Sequence, residues 1–105
     1  MEAPDFLPLG SVVSVRGNTK KMMVIARGLA LKQEDELKYI DYGACLYPEG
    51  MIGDTVIYFN HEAIQKVVHE GYSDDDNKLH LETLTESLKN VTLEKADPKP
   101  FQPTA

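Results

Sequence analysis

The chain has 105 residues, a formal net charge of −6, a hydrophobic fraction of 42% and one cysteine. That length supports a single core burying about 60–70% of the unfolded surface. The acidic balance argues against a non-specific nucleic-acid binder, which needs clustered Lys and Arg, and a lone Cys45 excludes a disulfide-stapled scaffold. No run approaches the ~20 apolar residues of a membrane helix, and the N-terminus lacks the basic and apolar regions of a secretory signal. A cytoplasmic protein without membrane insertion is expected.

In chain order, residues 1–5 read as a mobile lead, and Phe6 to Gly10 brings the chain into the body through Pro8, which favours extended geometry before it. Val12, Val13 and Val15 predict a strand over Ser11 to Arg16, and Gly17 to Lys20 a turn. A second strand starts at Lys21. Its continuous apolar character through Ala26 suggests burial on both faces, and Gly28 would permit a bulge or bend on the way to Leu31. Gln33 to Glu36 forms the loop, although Leu29 to Lys38 also contains strong helix formers and a helix there is the rival reading.

Alternation over Leu37 to Leu46 predicts a third strand, with Cys45 as a buried small hydrophobe between Ala44 and Leu46. Pro48 and Gly50 make Tyr47 to Gly50 a turn. Thr55 to Phe59, five consecutive β-formers, is the fourth strand. Asn60 is placed to cap one helical turn, followed by a short fifth strand within Val67 to Tyr72. Ser73 with Asp76 reads as a capping box, and Leu81, Leu84, Leu88 and Val91 form one apolar stripe on the following helix. Residues 93–105, with Pro98, Pro100 and Pro103, read as a disordered tail.

The expected fold is therefore α+β, with a single domain over residues 6–92. It is a small, strongly bent antiparallel sheet, or an SH3-like partly open barrel, of four to five strands with a C-terminal helix.

Chemistry is harder to find. His61, His69 and His80, even with Cys45, Asp41 or Glu62, show no spacing of a metal site, so no metal and no cofactor is expected. Tyr58 to Glu62 could be imagined as an acid/base cluster, but neighbours on a strand point to opposite faces. There is no phosphate loop or nucleophile elbow, and no catalytic residue is assigned. Arg16, Lys20, Lys21 and Arg27 gather in the first third, against an acidic Asp74, Asp75, Asp76, Glu82 and Glu86 later on. Tyr39, Tyr42, Tyr47, Tyr58 and Tyr72 divide between lining the core and offering a binding face.

Five blocks in order are more specific than any one of them. They are Leu7-Pro8-Leu9-Gly10-Ser11-Val12-Val13, Lys20-Lys21-Met22-Met23-Val24, Tyr42-Gly43-Ala44-Cys45-Leu46-Tyr47-Pro48-Glu49-Gly50, Phe59-Asn60-His61-Glu62 and Glu70-Gly71-Tyr72. Over Phe6 to Leu88 the chain resembles a small uncharacterised-domain family encoded beside type VII secretion toxins with LXG-type targeting domains in Gram-positive bacteria. The resemblance implies a non-enzymatic, cytoplasmic accessory or chaperone-like protein whose partner is the toxin or effector, with its small helical companions. An immunity protein binding the toxin domain, or a small nucleic-acid-binding barrel, are the alternative readings. Residues expected to meet a partner are Tyr47, Glu49, Tyr58, Asn60, His61, Tyr72, Leu81, Leu84 and Leu88.

Overall fold

β-branched runs and positive-φ glycines build the sheet from its first turn. The computed structural model describes residues 2–96. In order these form β1 (Val12–Val15), β2 (Lys21–Gln33), β3 (Glu36–Tyr47), β4 (Ile57–Phe59), a single 3₁₀ turn (His61–Ala63), β5 (Ile64–His69) and α1 (Asp75–Leu88). The five strands make one antiparallel open sheet in the order β4-β3-β2-β1-β5, and with the C-terminal helix the fold is α+β. The β1–β2 turn carries Gly17 at φ 85°, a left-handed conformation that costs glycine nothing sterically.

The rival helix over Leu29 to Lys38 does not form. β2 and β3 instead make a long ribbon of 13 and 12 residues, paired out to Gln33 and Glu36. Its loop is Glu34-Asp35, both at positive φ (55° and 63°), which describes a two-residue turn whose twist matches the flanking strands. The ribbon bends where Val24 pairs with Ala44 and Ala26 with Gly43, leaving Ile25 as the extra residue of a bulge.

The sheet must also curl, because its two edges are joined by a short link. Four inter-strand steps of ~4.8 Å would put the edges of a flat sheet about 19 Å apart. Residues 60–63, mostly a 3₁₀ turn rising ~2.0 Å per residue, carry the chain from Phe59 to Ile64 over about 14 Å. Only a bent sheet closes that gap, as the strongly bent expectation requires.

Inside the bend lie Val13, Val15, Met22, Val24, Tyr42, Ala44, Ile57 and Phe59, all buried. Phe6 meets Tyr42 edge-on at 5.7 Å and Phe59 stacks on Tyr42 at 5.3 Å, pairs worth about 0.5–1.5 kcal/mol each beyond the area they bury. β2 is not buried on both faces: Lys21 is exposed and Met23 half-buried, while Met22 and Val24 are inside. Alternation holds at its start.

α1 covers the bend. A Cβ on Gly28 (φ 61°) would lie 2.8 Å from Leu84 Cδ1, so the missing side chain lets the helix seat directly on β2. Leu81 and Leu84 pack on the core and Leu88 is 4% exposed. The N-cap is Asp74 rather than Ser73: Asp74 Oδ1 accepts from Asn77 N at 3.0 Å, while Ser73 Oγ accepts from the Asn77 side-chain amide. Arg27 ties this helix start to the entering chain, donating to Asn77 Oδ1 at 2.7 Å and to the Leu7 carbonyl at 3.3 Å.

Residues 93–96 correct the expectation that the tail begins at 93. Tyr39 N donates to Glu94 O and Ala96 N to Tyr39 O, a parallel bridge at Lys95 beside β3. Ala96 is buried and Leu93 packs against the core. This strip covers β3 where the three-residue β4 does not reach. Pro98, Pro100 and Pro103 lie outside the described residues, as does Met1.

Candidate functional site

Two constellations gather the polar and aromatic side chains of this domain. The first surrounds the 60–63 link. Asn60 was expected to cap the turn with its own side chain, but no such bond exists. Its Oδ1 instead accepts from Asp41 N at 3.1 Å, and Asp41 returns the contact: Asp41 Oδ2 accepts from His61 N at 2.8 Å. The cap thus comes from β3, a neighbour in space.

Asp41 has no exposed surface, and its other oxygen accepts from the Tyr39 hydroxyl at 2.7 Å. Lys95 Nζ stands 3.7 Å from Oδ2 and also pairs with Glu62. The Tyr42 hydroxyl accepts from Leu7 N at 3.0 Å and shares a hydrogen bond with His61 Nδ1 at 2.8 Å, the two rings stacking at 5.8 Å. Burial, then the neighbouring carboxylate, raises the Tyr39 phenol. Burial pushes Tyr42 up to about 12, against the Leu7 N–H. Both phenols stay protonated near neutrality. Every side chain here holds another part of the chain, so the arrangement works as a clasp on the crossover between the two sheet edges. Among the described residues, no three His, Cys, Asp or Glu side chains converge to hold a metal ion.

The second constellation lies on the outer face of β5, β1, β2 and β3. Cross-strand partners share a face, and the pairs Met23↔Cys45, Val12↔Met23 and Val12↔His69 set one row of side chains across four strands, with Lys21↔Tyr47 in the adjacent row of the same face. A bulge in β5 adds Val68: Val12 pairs with His69 and Val13 with Val67, so Val68 is the extra residue turned toward this row. The result is a groove of about 350 Å³. Buried Val12 and half-buried Met23 form its floor, Tyr47 and Val68, each 43% exposed, its walls, and Lys21 and His69 its polar rim. That volume lies at the small end for ligand sites and fits one or two large side chains. A concavity of about 500 Å³ also runs along α1, but Lys78, Leu81, Glu82, Thr85 and Glu86, which line it, all belong to one helix and offer no opposing wall.

The family model described as "Domain of unknown function (DUF4176)" matches residues 6–79. The chain belongs to the DUF4176 family. No curated protein and no solved structure matches it. The matched stretch of this DUF4176 chain contains the whole groove and all of the crossover clasp except Lys95.

Of the nine residues expected to meet a partner, the fold brings only some to the surface. Tyr47 lines the groove. Glu49 sits beside it, ion-paired with Lys20. Tyr58 is half-buried on β4, and Tyr72 stands 81% exposed beyond β5. Asn60 and Leu88 are buried, and His61 is half-buried against Tyr42, so these three serve the fold. Leu81 and Leu84 likewise pack on this domain's own core. The basic residues do not form one patch either: Arg27 holds the lead to α1, and Lys20 is paired with Glu49. Val12, Met23, Val68, Lys21 and His69 were not singled out together, because no local pattern in the chain reveals a groove whose walls come from four strands and a bulge.

Proposed function

We propose that this DUF4176 domain is a non-enzymatic, cytoplasmic binding module that engages a secreted toxin or effector through the outer-face groove, keeping it soluble or presenting it for export. The observation that supports this reading is the groove itself. Apolar floor residues and a tyrosine wall, ringed by polar side chains, are the anatomy of a protein-recognition pocket. The resemblance to domains encoded beside type VII secretion toxins supplies the class of partner. Both sheet edges argue for a face rather than an edge as the contact, since β4 has three residues and β5 carries two bulges, devices that discourage strand addition.

Co-expression with a type VII secretion toxin of the kind encoded beside such domains tests the reading. The two are expected to co-purify through size exclusion, and Tyr47→Ala or Val68→Asp is expected to weaken binding about tenfold or more, as for a residue at the centre of an interface. Separate elution of the wild-type chain and the toxin at micromolar concentration would sink the proposal. Binding to the isolated toxic domain, rather than to its targeting region, would reassign the protein to immunity.

A further inference from the structure

Given the binding role proposed above, we infer that the groove takes an acidic peptide segment of the partner, carrying one aromatic or branched apolar anchor. The register places the charges. Ser14 on β1 pairs with Lys21 on one side and Lys66 on the other, so both lysines project from the same face as Val12, Met23 and Tyr47. Two strand spacings put their Cα atoms about 10 Å apart. Both are exposed, and among the described residues neither has a carboxylate within ion-pair distance. His69 stands at the same rim. Of the nearby acids, Glu49 is engaged by Lys20, leaving Glu70 beside His69.

A chain of net charge −6 thus carries two uncompensated lysines beside an apolar cleft. Such a local field selects an acidic ligand and repels a basic one. The cleft volume admits an anchor side chain, and carboxylates flanking that anchor in the bound segment reach Lys21 and Lys66. A nucleic acid fits the same face less well. Its many phosphates would meet the remaining negative charge of the domain, and one tyrosine wall is a poor stacking platform.

The test is selection of a display library of random peptides, each about a dozen residues long, on the full chain at low salt. The enriched peptides are expected to carry net negative charge and an aromatic or branched residue. Their synthetic versions should bind about tenfold more weakly to the Lys21→Glu/Lys66→Glu double variant and at about 0.5 M salt, where exposed pairs are screened. Both lysines are exposed, so unfolding curves should show the variant folded. Peptides lost on Tyr47→Ala but neutral or basic, or indifferent to the charge reversal, overturn the inference and leave the binding role standing. A labelled oligothymidylate that binds through the same two lysines overturns it in favour of nucleic acid. If no selected peptide depends on Tyr47 or Val68, the groove is not a binding site, and this inference and the proposed function fall together.

Discussion

At Asp41 a carboxylate without exposed surface holds the His61 N–H and the Tyr39 hydroxyl. Asp41→Ala leaves both donors unpaired, at ~1–3 kcal/mol each. We expect a loss of about 3 kcal/mol in urea unfolding, and a smaller one for Asp41→Asn, which keeps an acceptor. Gly71 makes a similar demand on space rather than on polarity. A Cβ there would collide with the Leu9 carbonyl and approach Ser11 N to 2.8 Å, in the segment where Gly71 N donates to Ser11 Oγ. Gly71→Ala should cost about 1–3 kcal/mol, the range of overpacking, read as a lower urea midpoint. Neither role was legible from the residue alone. Asn60 does have capping chemistry, but the register between β3 and the crossover sends it to the Asp41 backbone, and that register is a property of the folded sheet.

Elements were more readable than their ends. The order of five strands, one helical turn and a final helix follows from hydrophobic periodicity and turn residues, and the structure contains it. Boundaries shifted where tertiary contacts compete with propensity: Thr55 and Val56 precede β4 although both favour strands, and Asp74 displaces Ser73 as cap. The Glu34-Asp35 turn was invisible as a tight hairpin because neither residue is glycine or asparagine, the usual occupants of positive φ. Replacing Glu34-Asp35 by Asn-Gly should therefore stabilise the domain by about 0.5–1 kcal/mol, seen as a higher melting temperature. The helix depends on its seat. Leu84→Ala removes the side chain packed against Gly28, and should cost about 2 kcal/mol, the low end for a leucine truncated at a half-buried site.

Across the whole molecule, alkaline titration should report the clasp and core together. The folded state holds Tyr42 near 12 and raises Tyr39 in the same direction, whereas an unfolded tyrosine ionises near ~10. A raised folded value means that the unfolded chain releases its protons first. The stability from Tyr42 is then complete below about pH 10 and disappears as pH climbs from ~10 through about 12, while that from Tyr39, raised further, starts to fall over the same range and is lost later. Urea midpoints followed against pH, with tyrosinate absorbance, should show that fall, and Tyr42→Phe should flatten it while lowering stability at neutral pH through the lost Leu7 and His61 contacts. The sheet class could be read in advance because it follows from pattern. The outer-face groove could not, because it depends on which strands become neighbours and on one extra residue in β5.

That bulge has a consequence for timing. Val68 is made 56 residues after Val12, its neighbour across the groove, and such distant pairings close late, after the local β2–β3 ribbon. During synthesis the floor formed by Val12 and Met23 lacks its far wall until β5 has emerged and docked. Under the proposed binding role, a partner that needs both walls would recognise only copies in which β5 has already docked on β1.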